Sequence, residues 1–159
     1  MTPGYSAVEV QAADGARLAL HRFAHAYEFA GRAAAIGAVR GPGRWDLGVV
    51  CDQGALHCFD LESLQRRWVL GVCAPTSWPV SCVSADLDGD QQDEFLIGLP
   101  DGRLIAVAER DGCGSVLWEV RFVAGVNDAI VADIDGDGRA EAIVETDDGY
   151  VRVLKSPVR

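Results

Sequence analysis

No window of the sequence approaches 18 consecutive apolar residues, which excludes a membrane-spanning helix. Positive charge is scarce. Lys and Arg number 14 against 24 Asp and Glu, a net charge of −10, and that argues against a nucleic-acid partner offering a phosphate backbone. No basic segment followed by an apolar run opens the chain. A cytoplasmic location is therefore expected, or an extracellular one if a leader precedes Met1. The five cysteines (Cys51, Cys58, Cys73, Cys82 and Cys113) contain no C-x-x-C pair. An odd number without metal spacing reads as small buried hydrophobes in a reducing compartment. Only three histidines occur, His21, His25 and His57; His21 and His25 are four apart, which suits a helix ligand pair and not a strand, and no acidic partner has the zinc spacing. G-x-S-x-G, P-loop and dinucleotide fingerprints are all missing.

What is present is enough for a core: 49% of the 159 residues are apolar and 24% are charged. The chain also repeats. Ala85-Asp86-Leu87-Asp88-Gly89-Asp90 returns 47 residues later as Ala132-Asp133-Ile134-Asp135-Gly136-Asp137. Asp101-Gly102 returns at the same offset as Asp148-Gly149, with Gln53-Gly54 and Asp14-Gly15 earlier in the series. Trp68 and Trp118 follow their own glycines by 14 and 16 residues.

Each unit reads as strands. Phe95-Leu96-Ile97 and Ile143-Val144 are short apolar runs ending in Asp-Gly, a hairpin signal of the type I′ kind. Arg103–Val107 and Tyr150–Leu154 follow the turn, Val116–Val120 matches Arg67–Leu70 as a Trp-bearing strand, and Pro79–Val83 supplies an opening strand. Ala24 to Ala38 has helical composition, but Gly31 and Gly37 interrupt it and the repeat puts Ala33–Val39 on an opening strand. The expected fold is all-β, a β-propeller-like repeat of four-stranded antiparallel blades in one domain, residues 1–159. Its units span 5–30 (partial), 33–71, 80–122 and 127–155 (partial), about 3.5 to 4 blades, a count that invites completion by a second copy. A sandwich is the rival, though it needs no acidic loop at constant offset.

The chemistry sits in Asp86-x-Asp88-x-Asp90-x-Gln92-x-Glu94 and Asp133-x-Asp135-x-Asp137-x-Arg139-x-Glu141. Carboxylates at alternate positions of a tight loop converge on one point, and Ca2+ takes six to eight oxygens at about 2.3–2.6 Å. The expected donors are the Asp and Glu carboxylates with the carbonyls of Gln92 and Arg139, and two Ca2+ are expected. An EF-hand needs Glu at the twelfth position, where Ile97 and Val144 stand, and needs helical flanks. The alternative of a merely solvated turn is weakened by two copies in register. The equivalent loop of the second unit, Ala38-x-Arg40-x-Pro42-x-Arg44-x-Asp46, has lost three carboxylates; it is expected to bind no metal and to pair Arg40 with Asp46.

Loops of this form, each followed by an apolar strand and an Asp-Gly turn, resemble the FG-GAP or VCBS-type repeat that builds the calcium-bearing propeller of integrin α subunits and many bacterial proteins. The resemblance covers about residues 80–155 and implies calcium between the first two strands of a blade, held by Asp86, Asp88, Asp90, Gln92 and Glu94 and by Asp133, Asp135, Asp137, Arg139 and Glu141. The family more often has Asp at the ninth place, which makes Asp93 a rival ligand. Leu104–Ala108 with Val116-Leu117-Trp118 also looks like blades of quinoprotein propellers. No catalytic set stands out. Trp68 and Trp118 read as packing residues, Trp45 and Trp78 as exposed. The leading reading is a non-enzymatic calcium-binding module that meets a protein or carbohydrate ligand and a second copy of itself. Its rivals are a piece of a propeller enzyme, of polysaccharide lyase or quinoprotein type, and a calcium-independent assembly domain. Scarce free calcium inside cells calls for tight sites, a preceding leader or vestigial loops.

Overall fold

A computed structural model describes residues 7–22, 31–75 and 77–156. Its described residues form thirteen strands and no helix. β1 (Ala7–Gln11) and β2 (Arg17–Arg22) make a two-stranded antiparallel ladder. The expected third strand of this unit falls outside the described residues. β3 (Gly31–Gly37), β4 (Asp46–Cys51), β5 (Ala55–Asp60) and β6 (Arg66–Gly71) form a four-stranded antiparallel meander. β7 (Ser81–Ala85), β8 (Glu94–Gly98), β9 (Arg103–Arg110) and β10 (Cys113–Arg121) form a second one. β11 (Val126–Ala132), β12 (Glu141–Thr146) and β13 (Val151–Leu154) form a three-stranded sheet.

The Ala-rich stretch is strand wherever it is described, and β3 begins at Gly31. Gly37 shows why this strand keeps glycine: an added Cβ would lie 2.9 Å from Cβ of Ser84 on β7. β7 starts two residues later than expected, since Pro79 has no N–H to give a ladder. The hairpin turns also differ from the expected type. Only the glycine has positive φ, 75° at Gly54 and 88° at Gly102, and its N–H donates to the carbonyl three residues back, Cys51 and Leu99. That is a type I turn closed by a left-handed glycine, which needs positive φ at one residue instead of two.

β3 lies beside β7, β7 beside β11, and β6 beside β10, so the sheets pack face to face around their first strands. Alternation along a strand then splits the side chains of the third unit between two neighbours. Phe95, Ile97, Ile105 and Val107 join Val50, Leu56, Cys58 and Trp68 of the second unit. Leu96, Leu104 and Ala106 join Val126, Ala129, Ala142 and Val144 of the fourth. β8 is buried along its whole length. Contact is close enough to dictate glycine: a Cβ on Gly48 would stand 2.6 Å from the Phe95 ring.

Cys51, Cys58 and Cys82 are buried as expected, and burial pushes the Cys58 and Cys82 thiols up to about 12. Cys113 departs from that expectation: it opens the outer strand β10 and is exposed. Trp68 packs edge-on against Phe95, with ring centroids 6.3 Å apart. Trp118 packs beside the other cluster, while Trp45 and Trp78 are exposed.

Truncating Phe95 to Ala should cost about 3–5 kcal/mol, because its ring is fully enclosed at the seam between the two four-stranded sheets. Denaturant titration reads this as a lowered midpoint; an unchanged midpoint would show that the seam carries little of the stability.

Candidate metal centres

The two acidic segments are the β7–β8 and β11–β12 connections, and their internal wiring is the same. Oδ1 of Asp86 accepts from Gly89 N–H at 2.6 Å, and its Oδ2 from Gln91 N–H at 2.9 Å. Oδ1 of Asp133 accepts from Gly136 N–H at 2.7 Å, and its Oδ2 from Gly138 N–H at 3.0 Å. Asp88 and Asp90 accept from Asp90 N–H and Gln92 N–H, as Asp135 and Asp137 do from Asp137 N–H and Arg139 N–H. Glu94 and Glu141 close each loop by accepting from Leu87 N–H and Ile134 N–H, both at 2.9 Å. Gly89, Gly136 and Gly138 have positive φ, and the place of Gly138 is taken in the first loop by Gln91 at φ 69°.

In the first loop, carboxylate oxygens of Asp86, Asp88 and Asp90 lie within 4.8 Å of one another; in the second, those of Asp133, Asp135 and Glu141 do. Oxygens around one ion at 2.3–2.6 Å stand no more than about 5.2 Å apart, so both sets fit a single hard cation. The expected sets are only partly assembled. Glu94 stands outside the first cluster, buried at the loop base, and Asp137 outside the second. Gln92 turns its side-chain amide onto Asp90 Oδ2. The Arg139 side chain leans on the neighbouring loop, where a Cβ on Gly89 would be 2.8 Å from its Nε. Burial, less the help of Leu87 N–H and reinforced by the charges of Asp88, Asp90 and Asp86, pushes Glu94 up to about 8.

Asp93 has another task. Its Oδ2 accepts from Ala38 N–H at 2.7 Å, and its own N–H donates to the Ala38 carbonyl. Ala140 N–H donates to the Asp86 carbonyl in the same way, so the three loops form one connected rim. Lys155 is a residue sequence reasoning missed: Nζ contacts Asp135 and lies 3.7 Å from both Asp137 and Glu141. Its distance of 20 residues from Asp135 left no local signal.

In the second unit the rim holds a cation of its own. Arg40 is bidentate to Asp46, Nε to Oδ2 and Nη2 to Oδ1, both 2.8 Å, and Nη2 also meets Asp60 at 2.7 Å. This is the pairing expected from the sequence. Asp46 is fully buried, and burial raises it despite these bonds. Behind it Arg67 and Trp68 Nε1 both donate to Glu109 of the next sheet. The position equivalent to Glu109 in the fourth unit is Ser156, and Trp118 Nε1 is buried without a hydrogen-bond partner among the described residues.

No family model matches the sequence, and no curated protein matches it. Solved structures do match in shape. BBS1N in complex with ARL6DN superposes with a TM-score of 0.71 at 15% identity, over 96% of this chain and 44% of that one. BamB from Moraxella catarrhalis gives 0.66 at 14%, over 96% and 40%. Saccharomyces cerevisiae Sqt1 gives 0.57 at 17%, over 89% and 36%. All three are β-propellers. The fold is a β-propeller. The sheets are its blades, and the chain spans about two fifths of the length of the propellers it matches.

Replacing Arg40 by Met should destabilise the protein by about 3–5 kcal/mol, because it strands the Asp46 carboxylate. Adding Asp46→Asn should return much of that loss in denaturant titrations. A single Arg40→Met variant as stable as the parent would show the pair to be dispensable.

Proposed function

We propose that this chain is a non-enzymatic, calcium-binding β-propeller module, with structural Ca2+ in the loops of its third and fourth blades and surfaces that engage a protein or carbohydrate ligand and a second copy. The observation that carries the metal reading is the duplicated wiring: two loops 47 residues apart hold their first Asp by equivalent backbone donors, and each brings three carboxylate oxygens within 4.8 Å of one another. In these loops Asp86, Asp88 and Asp90, and Asp133, Asp135 and Glu141, would hold the ion, which when bound supplies charge neutralisation at the rim. The chain's own groups do the rest: the loop N–H groups orient each first Asp, and Glu94 and Glu141 tie the loop to its strand. Engagement of proteins is supported by the fold neighbours, among them BBS1N, solved in complex with ARL6DN.

Calcium that binds only the folded chain should stabilise it by about 2.7 kcal/mol per occupied site at a hundredfold excess over Kd, read as a raised melting temperature. Asp86→Ala with Asp133→Ala should abolish the rise. A wild-type melting curve unmoved by millimolar Ca2+ would end the metal reading.

The two loops should also differ. In the second, an ion has to displace the Lys155 ammonium. Calorimetric titration of the Asp86→Ala variant should therefore show a weaker site, tightened about threefold by Lys155→Met, the scale of an exposed ion pair. Equal affinity with and without Lys155 would refute the competition.

A further inference from the structure

The fourth blade has one face packed on the third and one face bare among the described residues. Ala142 and Val144 point into the shared core, whereas Asp128, Ile130, Ile143, Glu145, Val151 and Val153 share the opposite face by register. Ile130, Val151 and Val153 are 56%, 67% and 55% exposed. Asp128 stands directly opposite Glu145, both are exposed, and with Ile130, Ile143 and Val151 they line a hollow of about 160 Å3. Like charges directly opposite one another cost a sheet stability. The cations on the last strand and just after it are engaged elsewhere, Arg152 with Asp148 and Lys155 with Asp135. No ion pair reaches Asp128 or Glu145 among the described residues.

The repeat says what belongs there. The same pair of places is Ala33 and Val50 in the second blade, and Ser81 and Gly98 in the third. Neither pair holds a charge, and Val50, Ser81 and Gly98 are buried. In the third blade the cover is Val126, itself 1% exposed and so close that a Cβ on Gly98 would stand 2.6 Å from its Cγ1. An aliphatic cover of that kind on Asp128 and Glu145 would strip water from two carboxylates and return no partner. The residue at the place of Val126 is Gly31 in the second blade and Pro79 in the third, again without charge, so a further blade of this make does not match the face. A second copy meeting it face to face would gather four carboxylates. A long basic side chain does match. Arg and Lys lay an aliphatic stem along apolar surface and carry their charge at the tip. Here the stem meets Ile130, Ile143 and Val151, and the tip meets Glu145 and Oδ2 of Asp128, whose Oδ1 already accepts from Ala129 N–H at 2.8 Å.

We infer that the bare face of the fourth blade docks a partner protein through an Arg or Lys set among aliphatic residues, with Asp128 and Glu145 taking up the charge. The inference rests on the protein-engagement part of the proposed function, gives it a place and a chemistry, and needs no calcium.

The test is an NMR titration of the full chain in chelator, with the tripeptide acetyl-Val-Arg-Val-amide as probe and its citrulline counterpart, a neutral isostere, as control. Amide shifts should be confined to residues 128–130, 143–145 and 151–153. The Arg peptide should bind about fivefold more tightly than the citrulline one, the upper end for an exposed ion pair. Lys in place of Arg should keep that advantage. Asp128→Asn with Glu145→Gln should erase it while leaving the parent's circular dichroism and its melting response to Ca2+ unchanged. Glu145→Gln alone is the second variant should that pair fail to fold, and it should lose part of the advantage. Equal binding of the Arg and citrulline peptides would overturn the inference, as would an advantage that survives the double variant. Binding of neither peptide at this face, or Arg-selective shifts centred on another surface, would overturn it too and leave protein engagement to that other surface. A chain that binds the Arg peptide here but shows no melting response to Ca2+ would end the metal reading and leave this one standing.

Discussion

A blade is a twisted sheet with two apolar faces, and no single neighbour can cover both. Everything in this chain follows from that constraint. The third blade meets it fully: alternate residues of β8 and β9 go to opposite neighbours, and both strands are buried almost throughout. Where two blades approach most closely, the chain gives up a side chain on one of them so that the other can enter, as Gly48 does for Phe95 and Gly114 for Trp68. The outer strands add polar ties, with Arg67 and Trp68 of one blade on Glu109 of the next.

The same packing sets the positions of the loops. First strands that lie side by side bring the connections after them onto one rim, where Asp93 bonds to Ala38 and Ala140 to Asp86. The acidic loops are therefore not independent appendages. Each is tied to the next by a backbone hydrogen bond, and the Arg139 side chain crosses the same boundary onto Gly89.

The sequence made the repeat, the strand type and most blade boundaries readable, because Asp-x-Asp-Gly-Asp and Asp-Gly recur at one interval and apolar runs alternate between them. It also made the Arg40–Asp46 pair readable, since a cation replaces a carboxylate in an otherwise aligned loop. Three features escaped it for physical reasons. Turn type depends on how many residues take positive φ, and Asp-Gly is compatible with either one or two. Lys155 reaches Asp135 only because β13 returns beside β12, a tertiary fact. Asp93 is spent on the neighbouring blade, and spacing within its own loop carries no trace of that.

The three rim loops pose one electrostatic problem and meet it differently. Carboxylates gathered within a few ångströms repel, and a buried one is costly unless a cation or several donors face it. The second blade supplies a guanidinium, and Asp46 can be wholly buried because Arg40 grips both its oxygens. The fourth supplies the ammonium of Lys155, a point charge on a flexible stem that is 60% exposed and can withdraw. Among the described residues the third has no ion pair on its carboxylates: Glu94 lies buried near Asp86, Asp88 and Asp90, and Arg139 of the next blade leans on Gly89. Its unbalanced charge is the greatest of the three. If a cation from solution has one place on this rim where the protein gains most by accepting it, that place is the loop from Asp86 to Glu94.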